Sequence, residues 1–385
     1  MISSPAAVLA EMWADPEAFS PLGSRVLLAV DAASVDAVRV AELGRRLPCI
    51  CVAVADDPRS APTGITTAGF DILLTSEPEA PRPWVSVPGT MAATVDLLSG
   101  AARANPFAAV ALAQLLRSST GIDIRDAVVA ESFAYSALQA GPEFAHWLAR
   151  HRQRRARRAA RDTDRRDTAV APADSRGKPQ PAERGSPAAS GAWGSAPAVL
   201  VHRDRTALIV TLNRPTVHNA VNAAVRDGLV SAFRLAALDD DVTEIRLVGA
   251  GSSFSSGGDL TEFGTLPGPV QAHSVRTTRS IPLSLLATRL PTTAFVHGLC
   301  IGAGAELPAF CGRVVAAPDT TFRLPETAMG LVPGAGGTAS LPRRIGRERA
   351  TYFILSGQAI TVELALAWGL VDEIAPRPAM PVAGD

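Results

Sequence analysis

From Arg150 to about Pro197 the chain reads RHRQRRARRAARDTDRRDTAVAPADSRGKPQPAERGSPAASGAWGSAP, and no other stretch constrains its folding as strongly. The first part is basic and continues the helical pattern before it. The rest is rich in Pro, Gly, Ser and Ala and has little to bury. A core cannot grow through such a segment, so the 385-residue chain is expected to organise on either side of it. The expected parts are residues 1–149, a basic then Pro/Gly/Ser-rich linker at 150–197, and residues 198–385. No aromatic residues interleave with the arginines for base stacking, so the basic run reads as a solvated helix end and tether.

Several classes of function fall away on composition. With 47% apolar and 19% charged residues the chain has an ordinary globular make-up. Its formal net charge of zero gives no general attraction to nucleic acid or to a membrane surface. No apolar run reaches the ~18 residues of a bilayer span, and the N-terminal MISSPAAVLAEMWADPEAF lacks a basic segment ahead of its apolar residues. A cytoplasmic location is therefore expected. The cysteines Cys49, Cys51, Cys300 and Cys311 lack zinc-type spacing and read as reduced core residues, with Cys49 and Cys51 on one face of a strand. The only lysine, Lys178, lies in the Pro-rich stretch, which argues against Schiff-base chemistry and a phosphate-binding P-loop.

On both sides of the linker strand-like and helix-like runs alternate, which predicts α/β architecture. Before it come RVLLAVD, VDAVRVAELGRRL, CICVAVAD and FDILLTS, followed by helical text from Asn105 onward. After it, ALIVTLN, EIRLVGAG, TTAFVHG and RVVAA read as strands. NAAVRDGLVSAFRLAALDDD reads as an amphipathic helix with Val225, Leu229, Phe233 and Ala236 on its buried face.

Four short features in the second part carry chemistry together. FSSGGDL and IGAGAE each offer backbone N–H groups unhindered by side chains, and two such groups converging on one oxygen form an oxyanion hole. LPETAMG places Glu326 after a proline, and PGAGGT is a further close-approach loop. Taken singly, GAGAE is a packing run and Glu326 a helix N-terminal acid. Taken together, Glu306 and Glu326 form a carboxylate pair beside amide donors, which suits polarising a carbonyl and moving protons at the neighbouring carbons.

TLNRPTVHNAVN, FSSGGDLTEF, FVHGLCIGAGAELPAFC, FRLPETAMGLVPGAGGTASLPRRIG and SGQAITVELALAWGLVDEI stand in the order found in the enoyl-CoA hydratase/isomerase (crotonase) superfamily, which this part of the chain resembles. The resemblance implies a ClpP/crotonase fold with a repeated ββα core, preceded here by an additional α/β and helical domain. It implies hydration of a 2-enoyl-CoA, with the amides of Gly258 and Ala303 as oxyanion hole and Glu306 and Glu326 as the catalytic pair. Gly258, Asp259, Leu260 and Thr261 would border the thioester and CoA, and His218 would lie near the CoA phosphates or be an ordinary surface histidine. Neither a metal nor a separate cofactor is implied, CoA being part of the substrate. The implied partner is an acyl-CoA, and the implied assembly is a homo-oligomer, trimer or hexamer. Isomerisation or other thioester enolate chemistry is an alternative, as is a non-catalytic CoA-binding scaffold.

Two departures from the family pattern bear on these expectations. Alanine stands at position 303 where glycine is usual, which preserves the amide provided its φ is negative. The text after GLVDEIAP is short, whereas the family continues into several helices over the acyl pocket. NPFAAVALAQLLRSSTGIDIRDAVVAESFAYSALQAGPEFAHWLARHR resembles that terminal region, so the N-terminal part is read as a degenerate crotonase-like half whose helices pack on the C-terminal core.

Overall fold

A computed structural model describes residues 2–34, 36–67, 69–119, 121–169, 196–265 and 268–377. Most of the expected linker thus lies outside the described residues. The N-terminal part runs α1 (Pro5–Ala14), β1 (Leu27–Asp31), α2 (Ala37–Gly44), β2 (Ile50–Ala55), β3 (Ile72–Thr75) and β4 (Val85–Ser86). Four helices follow: α3 (Met91–Ala104), α4 (Pro106–Ser119), α5 (Ile124–Gln139) and α6 (Pro142–Ala169). The four strands form a parallel sheet in the order β1-β2-β3-β4.

This sheet is covered on both faces, which explains its unbroken apolar strands. Leu28, Val30, Cys51, Ala53 and Leu73 point into a cluster with α1 and α2. Ala29, Ile50, Val52, Ile72 and Leu74 point the other way, into a core that continues through α3 and α4 to Leu341 and Phe353 in the second part. All four cysteines are free and buried, and the sulfurs of Cys49 and Cys51 lie 4.0 Å apart, on one face as expected.

The second part begins with the antiparallel hairpin β5 (Val199–Asp204) and β6 (Ala207–Leu212), then α7 (Ala223–Leu238), β7 (Glu244–Gly249), α8 (Pro269–Thr278) and α9 (Ile281–Thr288). It continues with β8 (Thr292–Val296), β9 (Leu299–Ile301), α10 (Ala303–Glu306), β10 (Arg313–Ala316) and β11 (Thr321–Arg323). Last come α11 (Gly337–Ile345), α12 (Arg347–Ser356), β12 (Ile360–Thr361), α13 (Val362–Trp368) and β13 (Glu373–Ile374). A six-stranded sheet of order β13-β10-β8-β7-β6-β5 lies beside a three-stranded sheet of order β12-β11-β9. This is the α/β architecture that the alternating strand-like and helix-like runs predicted. α7 buries the expected Val225, Leu229, Phe233 and Ala236.

The helices α3–α6 pack on this second part within the same chain. Arg349 reaches from α12 to the carbonyls of Trp84 and Ala80 at 3.0 and 2.9 Å, and Arg347 donates to Phe70 O at 2.8 Å. On α6, Phe144 and Trp147 stack near Phe263, with ring centroids 6.4 and 6.2 Å away.

Candidate active site

The FSSGGDL turn is assembled by Asn219, which is fully buried and donates its side-chain amide to the carbonyls of Ala250, Ser253 and Phe254 at 2.8, 2.9 and 3.1 Å. Gly257 follows with φ +86, and a Cβ there would stand 2.6 Å from Ile301 O. Only glycine permits this approach of the 257–258 backbone to the 301–303 backbone. Among the described residues, the amides of Gly258 and Ala303 donate to no backbone or side-chain acceptor. Gly302, at φ +51, turns the chain into α10, and Ala303 as first residue of that helix avoids the positive φ that alanine disfavours. The condition on the alanine is met.

α10 delivers Glu306 three residues later, and its side chain is 2% exposed. Glu306 Oε2 accepts from the amides of Ala335 at 2.7 Å and Gly337 at 2.8 Å, so the PGAGGT loop anchors one carboxylate oxygen. A Cβ on Gly337 would lie 2.7 Å from Glu306 Cγ, which accounts for the second glycine of the GG pair. Burial pushes the Glu306 carboxyl up to about 7, against the pull of the loop amides toward the ionised form.

Glu326 opens the 3₁₀ turn Glu326–Met329. A Cβ on Gly302 would meet its Oε1 at 2.6 Å, so the acid lies directly against the turn that presents the Ala303 amide. Glu326 Oε2 is buried and, among the described residues, has no hydrogen-bond partner. Burial first, and the Glu306 charge second, raise its proton affinity well above the usual carboxylate range.

Glu306, Glu326, Gly258 and Ala303 share one cavity of about 380 Å³, and Leu260 also lines it. The other expected contacts stand outside that lining. Asp259 pairs with Arg214 at 3.0 Å and accepts from the amide and hydroxyl of Thr261 at 3.1 and 2.7 Å. His218 is exposed, in the left-handed conformation, with Nδ1 3.0 Å from Ser253 Oγ.

The helical stretch expected to pack on the core supplies α5, and sequence reasoning missed which of its residues, Val128, Glu131, Ser132 and Tyr135, reach the same cavity. Glu131 is 2% exposed and accepts from Gly336 N, Thr338 N and Thr338 Oγ1 at 2.6, 2.8 and 2.7 Å. Burial, then the Glu306 charge, pushes its carboxyl up to about 8. One signal was present: an acid set among Ala127, Val128 and Tyr135 at helical spacing, on the face that buries. Among the described residues, no cluster of His, Cys, Asp and Glu has metal-binding geometry.

Two buried acids with raised proton affinity, beside two uncommitted amides, can shuttle protons next to a polarised carbonyl. The sequence model described as enoyl-CoA hydratase/isomerase matches residues 203–381. The 2,3-dehydroadipyl-CoA hydratase of Escherichia coli (strain K12) is 36% identical over 178 residues, covering 46% of this chain and 69% of that protein. The glyoxysomal fatty acid beta-oxidation multifunctional protein MFP-a of Cucumis sativus is 34% identical over 181 residues, covering 46% of this chain and 24% of that protein. A solved structure of enoyl-CoA hydratase from Mycobacterium smegmatis is 32% identical, with a TM-score of 0.44, covering 47% of this chain and 71% of that one. This chain belongs to the enoyl-CoA hydratase/isomerase family.

Proposed function

We propose that the protein is an enoyl-CoA hydratase, adding water across the 2,3 double bond of a 2-enoyl-CoA thioester. The observation that carries this reading is the pair Glu306 and Glu326, both buried against one cavity that also holds the free amides of Gly258 and Ala303. The two amides would donate to the thioester oxygen and stabilise the negative charge it gains as the enolate forms. Glu306, with its carboxyl at about 7, is substantially ionised at neutral pH and would take a proton from water as the water oxygen bonds to C3. Glu326, whose proton affinity is raised by burial and then by the Glu306 charge, would deliver a proton to C2 as the enolate collapses. One water has then been added, and moving the gained proton from Glu306 back to Glu326 restores the starting state.

An acyl-CoA is the partner this reading assigns, and no cofactor takes part. The test is loss of the enoyl absorbance with crotonyl-CoA and longer 2-enoyl-CoAs, repeated with Glu306→Gln and Glu326→Gln. Turnover by the unmodified chain and a fall of about 10²-fold or more in kcat for each variant is the expected result. No turnover on any 2-enoyl-CoA sinks the reaction, and unchanged turnover in both variants sinks the site.

A further inference from the structure

The four consecutive amides from Ala335 to Thr338 alternate between two carboxylates. Those of Ala335 and Gly337 donate to Glu306 Oε2 at 2.7 and 2.8 Å, and those of Gly336 and Thr338 donate to Glu131 Oε1 and Oε2 at 2.6 and 2.8 Å. Gly337 and Thr338 open α11, where their amides have no intrahelical acceptors, Gly336 is its N-cap and Ala335 precedes it, so both acids lie at the positive end of the helix dipole. Gly336, at φ +98, lets successive N–H groups face opposite sides. The Thr338 hydroxyl adds a third bond to Glu131 at 2.7 Å, so neither oxygen of Glu131 lacks a donor. Glu131 stands on α5, some two hundred residues before the loop it holds, and the catalytic reading above has no use for it.

We infer that Glu131 is a positioning residue for Glu306: it grips one side of the 335–338 loop and thereby fixes the amides that anchor Glu306 from the other. The grip holds Glu306 through Oε2. The inference rests on Glu306 acting as the base in the proposed hydration.

Two substitutions in the full chain separate reach from acceptor capacity. Glu131→Gln keeps the shape and sets an NH₂ group against amide donors. Glu131→Asp keeps the carboxyl and withdraws it by one methylene. If Glu131 positions Glu306, both lower kcat by about 10- to 100-fold with KM changed by less than about threefold, as small misplacements of a reacting group do. Both also move the acidic limb of the kcat profile to higher pH, because a loosened 335–338 loop weakens the amide bonds that favour ionised Glu306. Wild-type kcat and an unmoved limb in both variants overturn the inference.

A readout independent of turnover is the carboxyl-stretch infrared titration of Glu306, assigned by its loss in Glu306→Gln. Its midpoint rises in Glu131→Gln if the inference holds, because the amides that favour the ionised form are loosened, and stays in place if it does not, even should no enoyl-CoA be turned over. Should Glu131→Gln not fold, Thr338→Val removes one donor to Glu131 and leaves both acids. A several-fold fall in kcat supports the grip, and an unchanged kcat removes it.

Discussion

Glu326 and Glu306 are carboxyls whose proton affinity is higher folded than unfolded, and this sets the direction of their effect on stability. Such a group favours the folded state while protonated, and the advantage is lost as pH rises through the folded value. For Glu306 the window runs from its ordinary 4.5 to about 7, and for Glu131 from 4.5 to about 8. Unfolding free energy from urea titrations should therefore fall between pH 5 and pH 8. Glu326→Gln should flatten that fall and be more stable than the unmodified chain at pH 8, while losing activity. An equal slope in both proteins would falsify the assignment of Glu326 as a buried, unpartnered acid. Gly337→Ala tests the loop from its other side, since its Cβ would sit 2.9 Å from Glu306 Oε2. A loss of about 1–3 kcal/mol by denaturant unfolding is expected, together with a fall in kcat. Glu306 and Glu326 were legible in the sequence because small residues and a proline surround them in one local pattern. Glu131 was not: the amides it serves lie in a loop that only tertiary folding brings to α5.

At the scale of elements, long segments announced themselves and short ones did not. α7 spans enough turns for its apolar stripe to be read, whereas β9, β11, β12 and β13 have only two or three residues each, too few to show an alternation. The seams between elements were equally hidden. α5 meets α8 through Arg276, which donates to Ser132 Oγ at 3.3 Å and Gln139 Oε1 at 3.4 Å, hydrogen-bonds Ser136 and lies over the Tyr135 ring. Tyr135 itself covers Gly334, where a Cβ would come within 2.5 Å of its ring. Shortening this wall should widen the substrate cavity. For Tyr135→Ala, the ratio of kcat/KM on a ten-carbon enoyl-CoA to that on crotonyl-CoA is expected to rise by about 10-fold, a value suited to a few methylenes in an apolar pocket. A ratio unchanged from the parent would place the acyl chain elsewhere. The seam between α12 and the first sheet is polar and buried, and Arg349→Ala would strip the donors from Ala80 O and Trp84 O. About 2–3 kcal/mol of stability should go with them. A change within about 0.5 kcal/mol would mean that water replaces the guanidinium.

At the scale of the whole molecule, the division at the linker describes composition better than it describes packing. One continuous core runs from Ile50 and Val52 through Leu98 and Leu112 to Leu341 and Phe353, and α5 closes the cavity that Glu306 and Glu326 face. The part that matches the family at 203–381 therefore lacks a wall of its own site when α3–α6 are taken away. Residues 198–385 produced alone should be insoluble or loosely folded, with Leu341, Ile345 and Phe353 turned to water, and should show no hydration. The same residues co-expressed with 1–169 as a separate chain should recover a soluble, active complex, because the contacts between the two are noncovalent side-chain and carbonyl interactions such as those of Arg347, Arg349 and Glu131. Full activity from 198–385 alone would show that α5 and its carboxylate are dispensable. Recovery by co-expression, lost again with Glu131→Gln in the 1–169 chain, would trace the restored activity to that one acid.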